Sequence, residues 1–123
     1  LQQDMKHLLA LAIILMASIP ALAATKATYP GGDKAMQAYI TTNLVYPAAA
    51  KANGVEGVVT VSAQINADGT LGTLKIIRMV DPDLEQEAIR LVKKMPKWTP
   101  ATDDAGNPVA SQVEIPVTFV LAD

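Results

Sequence analysis

Val59-Thr60-Val61-Ser62-Ala63-Gln64-Ile65-Asn66-Ala67-Asp68-Gly69 alternates apolar and polar residues and then closes on a turn pair. Val59, Val61, Ala63 and Ile65 fall on one side and Thr60, Ser62, Gln64 and Asn66 on the other. That period of two is the signature of a half-buried strand. Asp68-Gly69 is the turn of a hairpin, because glycine adopts positive φ without strain. The returning strand runs from about Leu71 to Met79. Leu74 and Ile76 lie on one of its faces, Ile77 and Met79 on the other. Apolar residues on both faces predict helices over one side and a further contact on the other.

Downstream, Asp81-Pro82-Asp83 opens a helix. Asp81 is placed to cap it, Pro82 suits the first helical position, and Asp83, Glu85 and Glu87 sit near the positive end of the dipole. Leu84, Ala88, Leu91, Val92 and Met95 form a core-facing stripe. Lys93 and Lys94 lie at the negative end. Pro96 then stops the helix, since it has no N–H to donate and restricts the residue before it. The stretch Met95-Pro96-Lys97-Trp98-Thr99-Pro100-Ala101 holds the only Trp of the chain. It delivers that ring on a short, stiff segment, as an anchor against the domain body. Asp103-Asp104-Ala105-Gly106-Asn107-Pro108 is a polar turn. A last strand follows, with Val113, Ile115, Val117, Phe119 and Leu121 facing one way. Pro116 cannot donate to a ladder, so this strand is expected at a sheet edge.

Upstream, Tyr29-Pro30-Gly31-Gly32-Asp33 is a turn, with Asp33 expected to cap the next helix. Met36, Tyr39, Ile40 and Leu44 mark that helix's buried face. Tyr46-Pro47 breaks it, a short helix follows through Ala52, and Asn53-Gly54 ends that. The order helix, helix, strand, strand, helix, strand predicts an α+β domain. Its core is a three-stranded antiparallel sheet with helices packed on one face.

The N-terminal residues have a different character. Lys6 and His7 precede an apolar run from Leu8 to Ile19, broken by Pro20 and followed by Ala21-Leu22-Ala23. This is the layout of a secretory signal peptide. As a helix the run would reach ~18 Å, against a hydrocarbon core of ~30 Å; a short uncleaved anchor is the alternative. The expected organisation is a signal peptide over 1–23, a linker over 24–28 and a domain over 29–123, with Leu1 to Asp4 ahead of Met5 as the initiator. The expected location is the periplasm. The chain has no cysteine, so no disulfide framework holds it. Its net charge of −2 offers no basic surplus for nucleic acid.

Chemistry is sparse. His7 is the only histidine and lies in the expected signal segment. Without a downstream imidazole or any thiol, His-assisted nucleophiles and His/Cys metal sites are excluded. Asp81, Asp83, Glu85 and Glu87 read as helix-start residues, and Asp103-Asp104 as a solvated turn without calcium-loop spacing. No cofactor and no enzymatic role are expected. A domain of this kind works by binding, and an exposed strand edge can accept a partner's strand. The competing reading is an edge protected against aggregation by Pro116 and Glu114.

Read together, these features carry a family resemblance. The residues are Tyr29-Pro30-Gly31-Gly32, Tyr46-Pro47 with Ala50 and Gly54, Glu56-Gly57 with Val59 and Val61, Asp68-Gly69, Met95 to Ala101, Gly106-Asn107-Pro108-Val109, and Pro116 with Phe119 and Leu121. In this order they resemble the C-terminal domain of TonB-type energy transducers, over about residues 29 to 121. The resemblance implies a periplasmic domain that contacts TonB-dependent outer-membrane receptors by pairing a short receptor segment with a sheet edge. Carried over, the pairing strand covers Gln112, Val113, Glu114, Ile115, Val117, Thr118 and Phe119, with Tyr46 and Pro47 as a second contact. It also implies coupling to an inner-membrane proton-driven motor complex where the N-terminus stays uncleaved. The chain departs from the family pattern in its spacer: five extended residues reach ~18 Å. The alternative is a soluble periplasmic interaction or assembly domain without a motor. A homodimer by edge-strand pairing is a further partner the same edge admits.

Overall fold

The alternation of Val59 to Ile65 becomes the central strand of the sheet. A computed structural model describes residues 24 to 122. The expected signal peptide, with His7 and the Leu8–Ile19 run, lies outside the described residues. In chain order the elements are α1 (Asp33–Asn43), α2 (Ala48–Ala52), β1 (Gly57–Ile65), β2 (Leu71–Arg78), α3 (Pro82–Lys93), β3 (Ala101–Thr102), β4 (Pro108–Val109) and β5 (Ser111–Phe119). The main sheet is antiparallel with strand order β2-β1-β5. Because α3 carries the chain from β2 across β1, the last strand lands on the far side of the hairpin. β5 is therefore an edge, the position at which Pro116 is tolerated.

Burial follows the pattern of the residues. Val59, Val61, Ala63 and Ile65 are wholly buried, as are Ile115, Val117 and Phe119 of β5. Leu84, Ala88, Leu91 and Val92 of α3 cover this face, joined by Met36 and Ile40 of α1. Each large apolar side chain so buried contributes about 1.5–3 kcal/mol against solvent exposure. Asp81 caps α3, accepting from the backbone N–H of Asp83 and Leu84 at 3.0 and 3.2 Å. Pro82 occupies the first turn. Among the described residues no helix is long and apolar enough to cross a membrane.

Four local expectations change. Asp33 does not cap α1: Gly32 holds the cap position without a side-chain bond, and Asp33 is the first helical residue. The outer face of β2 gains no cover: Ile77 is 50% exposed, and Met79, expected in the strand, lies just past its end and is 78% exposed. A register shift explains Ile77, since Thr60 faces Arg78 while Val61 faces Ile76, leaving Ile77 as the extra residue of a bulge. Residues 24–28, expected as a linker, are fastened to the body through Thr25 and Thr28. Thr25 exchanges backbone hydrogen bonds with Thr102 at 3.0 and 3.1 Å, and Thr28 with Thr99 at 3.0 and 2.8 Å. The polar turn sits inside a small hairpin, β3 with β4, that the sequence pattern did not reveal. Its strands are two residues each, too short to show a period.

Trp98 is 6% exposed, as the anchor reading expects. Its ring meets Tyr29 edge-on, with centroids 5.8 Å apart. Its backbone N–H donates to the carbonyl of Gly69 at 2.9 Å. The segment after α3 is thus tied to the β1–β2 turn.

Candidate functional site

Among the described residues the main sheet presents two edges, and they differ. β2 pairs with β1 through two register shifts and carries Lys75 and Arg78, both exposed. Bulges and lysine are devices that blunt an edge. β5 pairs with β1 in one unbroken register from Gly57 opposite Phe119 to Ile65 opposite Ser111. Its one charged residue is Glu114, and Pro116 is its one backbone interruption. A long regular strand exposes its unpaired N–H and C=O groups in a straight row, the template an added strand needs.

The residues expected on this edge divide by face. Gln112, Glu114 and Thr118 are exposed on the side away from the helices. Gln112 is held there, its side-chain oxygen accepting from Ser62 Oγ at 2.9 Å. Val113 is half-buried. Ile115, Val117 and Phe119 have no exposure, so these three can offer a partner only their backbone.

Tyr46 joins the far end of the same strand. Its ring stands edge-on to Phe119 with centroids 5.6 Å apart, and its hydroxyl donates to the carbonyl of Val55. Loss of solvation pushes that hydroxyl's pKa up, and Glu56 and Asp81 add to the effect, so it stays a donor. Pro47 caps the start of α2 beside it. Glu56 secures the chain beyond β5 by accepting from the N–H of Leu121 at 2.5 Å. Tyr46 and the end of β5 are therefore one corner of the molecule.

Glu87 and Arg90 hold that corner, and sequence reasoning missed them. Glu87, read as a helix-start acid, is 8% exposed. It accepts from the N–H of Val45 at 2.6 Å and from Arg90 Nε and Nη2 at 2.6 and 2.7 Å. Arg90 also donates to the carbonyl of Asn43 at 3.0 Å. The pair staples the α1–α2 connection, and so Tyr46, onto α3. An acid and a base three apart on a helix are usually a surface pair; only the tertiary partner distinguishes this one. Burial raises the Glu87 pKa, but hydrogen bonds from Arg90 and Val45 and the Arg90 charge outweigh it, leaving the carboxyl below the usual glutamate range. Its stabilising contribution is full above the ordinary glutamate pKa and is lost as pH falls through the lowered folded value. Glu87→Gln is expected to cost about 1–3 kcal/mol at neutral pH. Thermal melts from pH 7 to pH 3 check this: the gap between parent and variant should close on acidification. Parallel curves would refute the role.

Glu85 and Asp103 also have structural partners. Glu85 accepts from the N–H of Val80 at 3.1 Å. Asp103 accepts from Ala105 and Asn107 at 2.9 and 3.0 Å and shapes the polar turn.

A three-stranded antiparallel sheet with helices on one face and one regular free edge defines a small α+β domain. Residues 42–121 match the family model of the Gram-negative bacterial TonB protein C-terminal domain, and the chain belongs to that family. It is similar to the C-terminal domain of Helicobacter pylori TonB in two solution structures. In one, identity is 26% with a TM-score of 0.54, covering 72% of this chain and 78% of that one. In a shorter form identity is again 26% and the TM-score 0.55, covering 73% and 94%. No curated protein sequence matches the chain. The family consists of periplasmic, non-catalytic transducer domains that work with outer-membrane receptors.

Proposed function

We propose that this domain binds a peptide segment of outer-membrane receptors by strand addition to β5, over Gln112 to Phe119, with Tyr46 and Pro47 as the second contact. The binding serves energy-dependent transport across the outer membrane, and the chain reaches the periplasm through its N-terminal signal segment. The observation that carries the reading is the contrast between the two edges: β2 is bulged and basic, β5 regular and nearly uncharged. Four or five main-chain hydrogen bonds at roughly 1 kcal/mol each correspond to an affinity near the millimolar range. Side-chain contacts must supply the rest.

The test is a titration of the isotope-labelled domain with synthetic peptides from the periplasmic ends of TonB-dependent receptors encoded with this chain. Backbone amide signals of residues 112–115 and 117–119 should shift or broaden, with those of β2 unchanged. Response confined to β2, or none with any such peptide, would overturn the reading.

A further inference from the structure

A groove of about 470 Å³ opens beside the first half of β5. Ser111 to Glu114 line it on the strand side; Thr25 to Ala27, the first turn of α1, Trp98 and Ala101 line the rest. Thr25 to Ala27 and the start of α1 precede residue 42, where the family match begins. An added strand on the free edge of Ser111 to Glu114 must run along this groove.

Two atoms of the lining residues stand out. Among the described residues, the indole Nε1 of Trp98 and the hydroxyl of Ser111 are sealed from solvent and have no hydrogen-bond partner. Buried polar groups in native proteins nearly always have one. Two orphans on residues that line one groove, each just beneath its surface and next to a free strand edge, point to a polar neighbour that a partner can supply. The indole N–H only donates, whereas the hydroxyl donates or accepts. An aliphatic side chain in the groove would leave both orphaned. A carboxylate would meet two exposed acids, Asp33 and Glu114, against one base, Lys26. A neutral amide meets neither difficulty: its oxygen accepts from the indole and its NH2 donates to the hydroxyl.

We propose that the strand pairing with β5 seats an Asn or Gln side chain in this groove, beside Ser111 to Val113, bonded to Trp98 Nε1–H and Ser111 Oγ. This rests on strand addition at β5. Both atoms are covered in the free domain, so the groove lining must open around them when the amide enters.

The chain holds one Trp, so one indole N–H signal reports on the groove. The probe is a set of synthetic receptor peptides, as above, carrying Gln, Leu or Glu at each successive position. At one position Gln should bind roughly three- to tenfold tighter than Leu, tighter also than Glu, and should shift the indole signal. In Ser111→Ala the Gln-over-Leu ratio should fall toward one, with the β5 amides still responding. Trp98→Phe should do the same where it folds. Equal affinities at every position, or an unmoved indole signal while the β5 amides respond, would overturn the groove and leave strand addition standing. No β5 response to any peptide would overturn both.

Discussion

Replacing Trp98 with alanine is expected to unfold or nearly unfold the domain. The ring is 6% exposed and packs edge-on against Tyr29, itself 7% exposed and 6.0 Å from the ring of Tyr39. Truncating a buried Trp costs about 3–5 kcal/mol, against a total of about 5–15 kcal/mol for a typical domain. The loss reaches beyond the cavity. Tyr29 follows the 25–28 segment, and its ring would lose one of the two aromatic neighbours that hold it against the body. Thermal unfolding followed by far-UV circular dichroism should show a melting temperature lower by about 15 °C or more. A fall of a few degrees would mean that the ring is dispensable to the core.

The second large effect is expected at Gly69. Its φ is +88°, and a Cβ there would overlap the carbonyl oxygen of Trp98, a backbone atom with little room to move. The strained conformation alone costs about 1–3 kcal/mol for a residue with a side chain, and the overlap adds to it. The same turn accepts the N–H of Trp98 at 2.9 Å, so relieving the clash breaks that bond. Gly69→Ala should therefore separate the β1–β2 turn from the Trp98 segment. Gly54→Ala is the control. Its φ is +66° but nothing lies within 4 Å of the added carbon, so only the conformational cost applies. Chemical denaturation should rank Gly69→Ala well below Gly54→Ala. Equal midpoints would show that the approach to Trp98 does not matter.

Much of this fold was legible because its strongest signals are periodic and local. The alternation of Val59 to Ile65 and the stripe Leu84, Ala88, Leu91, Val92 each follow from geometry along the chain, and Pro116 reported an edge through a missing donor. The candidate site was legible only in outline. Sequence placed seven residues on one edge strand, yet Ile115, Val117 and Phe119 proved to be core residues that lend a partner only their backbone. Tyr46 was tied to that strand by resemblance alone; its contact with Phe119 spans more than seventy residues of chain. Glu87 looked like one more acid at a helix start. Residues 24–28 looked like a linker because five residues carry too little pattern to announce a partner.

By itself the sequence determined the main helices and strands and their order, the apolar faces of β1, α3 and β5, and the absence of histidine and cysteine after His7. These depend on backbone periodicity, turn chemistry and residue inventory, which are properties of neighbours in the chain. Only the tertiary structure decided which edge is regular and which is bulged, what Glu87 holds, where residues 25–28 attach, and that Trp98 and Ser111 share one groove. These are meetings of residues far apart in sequence. They depend on how strands register and which side chains then fill the space between elements, and no local pattern encodes that.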